Sequence, residues 1–255
     1  MQSVSWIRLG LTLLGGLLAA SSARAEDAPQ PQSCEVPSYL LASESALPKV
    51  ADAIKNGRPL EILVVGSRSS TINASPGSAF PVRLQAALKE ALPSVAVNVS
   101  VDLQARKTAD EVAKDLDKIL EGKKPTLVIW QTGTVDAMRS IDPDQEFRNA
   151  LDEGVVALQN AGADVVLMNL QYSPRTETMI SVPPYLDNMR VVAQQHDVPL
   201  FDRFAIMRQW NDHGDFDLFS ASPGIELAKR VHDCLGRALS QFLIGAAHLG
   251  PEQQN

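Results

Sequence analysis

Several familiar signatures are missing from this sequence, and each absence excludes something. No Gly-Lys-Ser/Thr follows a candidate strand, so a Walker-type nucleotide loop is excluded. The three-glycine dinucleotide fingerprint and the Gly-x-Ser-x-Gly nucleophile elbow are absent too. Histidine is scarce, with His196, His213, His232 and His248 only. None is spaced from another, or from a cysteine, as zinc ligands are. Neither a metal nor an organic cofactor is called for. Basic residues are outnumbered, 23 against 30 acidic ones, which argues against nucleic acid and anionic membrane surfaces as partners. There is no CxxC, no internal repeat and no low-complexity tract.

The one long apolar run, Leu9 to Ala20, is too short for a confident membrane span. Arg8 precedes it and Ala23-Arg24-Ala25 follows, so residues 1–25 read as a signal peptide cleaved after Ala25. The expected destination is the periplasm or the exterior, with no transmembrane segment left after cleavage. Losing Arg8 and Arg24 leaves 21 basic residues and a net charge near −9. Residues 26–44 read as a flexible lead-in, 45–245 as one domain with a full core, and 246–255 as a disordered tail. The two cysteines, Cys34 and Cys234, stand near opposite ends of the mature chain. An oxidising compartment makes a disulfide between them the favoured reading, with two buried free thiols as the alternative.

The chain centres on Glu61 to Asn73, where the apolar run Ile62–Val65 breaks at Gly66 into Ser67, Arg68, Ser69, Ser70 and Thr71. Such a run predicts a buried parallel strand. Four more strands are expected near 95–101, 126–130, 163–170 and 198–201, the first alternating like an edge strand. Helices are expected over 45–56, 81–92, 108–120, 142–160, 184–196, 203–210 and 223–244, with a long loop over 171–183. Strands alternating with helices predict an α/β fold, a five-stranded parallel sheet covered on both faces. In the doubly wound order 2-1-3-4-5, the loops after strands one and three flank the switch point where ligands bind. These are the serine loop and Gly133-Thr134-Val135-Asp136.

With a late Asp217-Leu-Phe-Ser220, these pieces make the chain resemble the SGNH, or GDSL-type, hydrolases over roughly residues 60–243. The resemblance implies a three-layer α/β/α sandwich, flavodoxin-like in strand order, and a serine esterase site. Counting back from Thr71 puts the family's nucleophile on Ser69, with Ser67 as fallback. Counting forward from Gly66 puts it on Arg68, which cannot attack. Val135 stands where the family has its oxyanion asparagine, and Ser220 where it has its catalytic histidine. Leu103–Thr108 lacks the second-block glycine.

Valine donates no hydrogen bond, and a serine hydroxyl without a base is a poor nucleophile. The first reading is therefore an exported family member with a degraded site. Its cleft, over Ser67, Arg68, Ser69, Gly133, Thr134, Asp136 and Ser220, would bind an acylated or anionic envelope ligand, a small molecule or a glycan. Arg68 and Arg106 are candidates to line it. The second is an active ester hydrolase with Ser69 as nucleophile, His213 as base and Asp217 as acid. The third is a structural or partner-binding envelope protein.

Overall fold

The computed structural model describes residues 34–219 and 224–248. The expected signal peptide and the tail from 249 lie outside them, as does Ser220. Five parallel strands form one sheet: β1 Leu60–Gly66, β2 Val97–Leu103, β3 Leu127–Gln131, β4 Asp164–Met168 and β5 Leu200–Phe201. Their order is β2-β1-β3-β4-β5. β1, β3 and β4 are buried nearly throughout, as continuous apolar runs flanked on both faces must be. β2, with one neighbour, alternates less cleanly and exposes Val101 and Leu103. It starts two residues later than its valine alternation suggests, because Val95 is buried in the turn before it.

The first helices are α1 Ser38–Leu41, α2 Pro48–Lys55 and α3 Phe80–Ala91. The single helix expected over 108–120 is two short ones, α4 Ala109–Ala113 and α5 Leu116–Leu120. A single turn, α6 Thr134–Met138, follows β3. The 142–160 segment opens with a wide turn at Pro143–Phe147 before α7 Arg148–Asn160. Inside the expected long loop lies α8 Pro174–Met179, with Pro174 in the first-turn position that favours proline. α9 Pro183–Gln195, α10 Arg203–Asp212 and α11 Ile225–His248 complete the chain. α11 outlasts its expected end, and Ala246, placed in the tail by sequence, is 1% exposed.

α3 and α11 pack together on one face of the sheet; α4, α7 and α9 cluster on the other. The α3–α11 contact depends on Gly236. A Cβ there would sit 2.5 Å from Arg83 Cβ and 2.8 Å from the backbone of Arg83 and Leu84. Alanine would favour the helix by about 1 kcal/mol, but forcing two backbones apart costs up to about 3 kcal/mol. Gly236→Ala is thus expected to destabilise by about 2 kcal/mol, a fall of roughly 4–8 °C in Tm. An unchanged Tm would mean that the two helices do not touch here.

The Cys34–Cys234 disulfide is present, with Cα atoms 5.2 Å apart. It fastens the segment before α1 to α11. Trp210 of α10 holds the same segment by donating its indole N–H to the Glu35 carbonyl at 3.0 Å. Among the described residues no helix is long and apolar enough to cross a membrane.

Candidate functional site

Four strands deliver polar side chains to one place, because their C-terminal ends face the same edge of the sheet. β1 ends at Gly66, where a Cβ would collide with the Ser70 side chain. The chain then makes a single 3-10 turn, Arg68–Ser70, closed by Ser70 N–H to the Ser67 carbonyl at 2.9 Å. β3 contributes Gln131, the segment after β4 contributes Gln171, and the residue opening α10, just past β5, is Arg203.

Gln131 sits at the centre. Its Nε2 donates to Ser67 Oγ at 3.0 Å and to Ser69 Oγ at 2.6 Å, and its Oε1 accepts from the buried Ser70 hydroxyl. Arg203 is 1% exposed. Its guanidinium donates to Ser69 Oγ at 3.0 Å, to the Ser69 carbonyl at 3.3 Å and to Gln171 Oε1 at 2.9 Å. It lies 5.8 Å from the centre of the Phe80 ring, a cation–π contact. Burial lowers its pKa to about 9, so it stays charged at neutral pH. The adjoining Asp202 is engaged elsewhere: it caps α10, accepts from Asn169 at 2.7 Å and pairs with Arg190.

Behind Arg203 lies His232. Its Nδ1 accepts the Phe80 amide N–H at 3.0 Å. Burial, helped by the charge of Arg203, lowers its pKa to about 3. It is a neutral structural acceptor, too weak a base to take a proton from a serine.

A cleft of about 610 Å³ opens above these groups. Ser67, Arg68, Ser69 and Gln171 line it, with Arg106, Arg139, Val135 and Met138 around them. Thr134 also lines it, and its hydroxyl is buried with no partner among the described residues. Gly133, at φ 95°, opens α6 in the left-handed region; a Cβ there would strike Leu170. Arg139 is tied down, donating to Glu111 at 3.2 Å and to the Arg106 carbonyl at 2.9 Å. Arg106 itself has φ 65°, unusual for a residue with a side chain.

Asp136 does not face the cleft. It is 1% exposed and accepts the Ala109 amide at 2.8 Å. Burial raises its pKa. Thr108 and Glu111 add a capping box to the same helix end. Asp136 therefore braces the loop carrying Arg106 against the loop carrying Gly133, one wall against the other.

His213 and Asp217 lie by the end of α10 opposite Arg203, the residue that holds Ser69. His213 is the exposed residue just past α10, whose opposite end carries Arg203. Ten residues of helix put about 15 Å between those ends. Asp217 is exposed, and its carboxylate accepts from the Phe219 amide at 3.0 Å. Sequence reasoning missed Gln131, Gln171 and Arg203. Their only signal was position, each at or within a few residues of a strand's C-terminal end. Among the described residues no three His, Cys, Asp or Glu side chains group as a metal site.

Fold and strand order define an SGNH hydrolase-type scaffold, and solved structures agree. The protein called TesA is 21% identical, with 71% of this chain covering 99% of it at a TM-score of 0.56. A psychrotrophic esterase, EstA from Pseudoalteromonas sp., is 18% identical, with 72% covering 98% at 0.55. AlinE4, an SGNH-hydrolase family esterase, is 20% identical, with 64% covering 84% at 0.52. At these identities the likeness establishes the fold alone. Residues 33–249 match the non-GDSL lipase-like family, and the chain belongs to it. No curated protein matches the sequence.

Proposed function

We propose that this protein is an exported family member that no longer hydrolyses esters and uses its cleft to bind a ligand. One observation carries the reading: the Ser69 hydroxyl accepts from two donors, Gln131 Nε2 and Arg203 Nη1, and faces no base among the described residues. A serine nucleophile needs a neighbour that takes its proton and a lone pair free to attack. Here both lone pairs are occupied, and a fixed positive charge stands where proton transfer would have to begin. Val135, lining the cleft, adds no oxyanion donor. Arg68, the residue that counting from Gly66 puts in the nucleophile's place, is exposed and carries no nucleophile.

The test is ester turnover. The protein should hydrolyse p-nitrophenyl acetate no faster than Ser69→Ala does, and a fluorophosphonate probe should leave Ser69 unlabelled. Brisk turnover that disappears in Ser69→Ala would establish the active reading instead; loss in His213→Ala as well would name its base. Restoration gives a second check. Val135→Asn and Ser220→His should each do little alone and together raise hydrolysis only slightly while Gln131 and Arg203 still hold the Ser69 hydroxyl, and not at all in Ser69→Ala, because base and oxyanion donor act on one transition state.

A further inference from the structure

We propose that the cleft is a receptor for a phosphomonoester dianion, gripped by Arg68 and Arg106 above the buried guanidinium of Arg203. This names the ligand class for the binding function proposed above and rests on that reading.

Charge is the first argument. The chain carries a net charge of −7, yet Arg68, Arg106 and Arg139 line this cleft and, among the described residues, no carboxylate does. Arg139 is neutralised by Glu111. Arg68 and Arg106 have no carboxylate partner among the described residues, and neither does Arg203. A buried cation without a counter-ion is costly, and folds that keep one compensate it with a bound anion or a paired carboxylate. The Arg203 Nε is buried with no hydrogen-bond partner, while its other nitrogens hold Ser69 and Gln171 on the cleft floor. The missing negative charge belongs in the cleft. Three uncompensated guanidiniums call for more than one charge, which a carboxylate or a sulfate ester does not supply.

Hydrogen-bond polarity is the second argument. Gln131 and Arg203 fill the Ser69 lone pairs, so the Ser69 hydroxyl must donate, and Ser67 Oγ lies 3.2 Å away. Ser67 in turn accepts from Gln131 and from Ser69, which leaves its own proton free for the cleft. The floor thus presents donors, and guanidiniums above it present more. A ligand group that only accepts is matched to this, and a phosphomonoester dianion offers three acceptor oxygens. Arg106 is held at φ 65°, a strained conformation of the kind that concentrates at ligand clamps. Val135 and the 65% exposed Met138 leave an apolar wall for the organic part.

Calorimetric titration of the full mature protein at pH 7.5 with phenyl phosphate, phenyl sulfate and benzoate tests this. Phenyl phosphate should bind at least about tenfold tighter than the two monoanions, and its affinity should fall as salt rises. Arg68→Ala and Arg106→Ala should each weaken it about tenfold or more, Arg68→Lys less so, and Arg230→Ala, on the exposed side of α11, not at all. Arg203→Met should abolish binding while the Tm is kept, since methionine fills the site and water can reach the freed acceptors of Ser69 and Gln171. Glucose 6-phosphate and dihexanoylglycerol 3-phosphate then separate a sugar source from a lipid one; tighter binding of either supports the proposal. Equal affinity for phosphate and the monoanions, or full affinity in Arg68→Ala, overturns it. Ester hydrolysis measured on the same preparation separates the two claims. An inert protein that ignores phosphate defeats the receptor alone; a brisk Ser69-dependent esterase that binds phosphate defeats only the loss of hydrolysis.

Discussion

Acidification is expected to remove about 5 kcal/mol of stability through one side chain, His232. Its pKa falls from 6.5 to about 3 in the folded protein, by burial first and by the charge of Arg203 second. Between those values the unfolded chain binds a proton that the folded chain refuses. Stability is therefore complete above pH 6.5 and declines at roughly 1.4 kcal/mol per pH unit as pH falls toward 3. Asp136 and Asp164, whose carboxyls burial pushes up, act in the opposite sense. They bind protons more readily when folded, so their contribution grows on acidification. Comparison with a variant that cannot titrate at this position isolates the histidine from them. His232→Asn keeps an acceptor for the Phe80 amide and removes the titration. Denaturant unfolding at several pH values should show the slope in the parent and its loss in the variant. Equal slopes would mean that His232 is charged in the fold.

Reduction of the Cys34–Cys234 bond should cost about 5 kcal/mol, the loop-closure entropy released when a link spanning 200 residues is cut. The loss should appear as earlier unfolding in urea under reductant, and equally in Cys34→Ser without it. Alkylation of the folded, unreduced protein should find no free thiol. Loosening should begin where the link acts, at residues 34–41. Trp210, bonded to the Glu35 carbonyl, is placed to report it by fluorescence. A Cys34→Ser protein that unfolds at the parent's urea concentration would show that the packing of α1 against α11 suffices without the bond.

The sheet was legible because its strands carry their burial in their sequence. β1, β3 and β4 are built on the continuous apolar runs Ile62–Val65, Leu127–Trp130 and Val165–Met168 and are covered on both faces; β2 alternates and has one neighbour. The switch-point rule pointed to the serine loop, and a cleft of about 610 Å³ opens there. Chemistry inside it was harder to read. Arg203 looks like any polar residue at the start of a helix, and nothing local marks it as buried; its burial comes from Phe80, Ser69 and Gln171, far away in sequence. Asp136 shows the reverse. Its place in a loop of the site suggested a cleft-facing carboxylate, yet the backbone of α4 claims it. The strand expected over 126–130 stops one residue short of Gln131, which ends β3 and organises three serines.

The disulfide also sets an order of events. Among the described residues Cys34 precedes every strand, and Cys234 lies in α11. During synthesis the first thiol therefore waits for nearly the whole domain before its partner arrives. With two cysteines in the chain, a single intramolecular pairing exists, so no reshuffling step is needed to correct a wrong one. Errors can arise only between chains, through Cys34 thiols that meet while α11 is still unmade. Pairing between newborn chains, rather than slow isomerisation within one, is therefore the route by which a wrong bond would form.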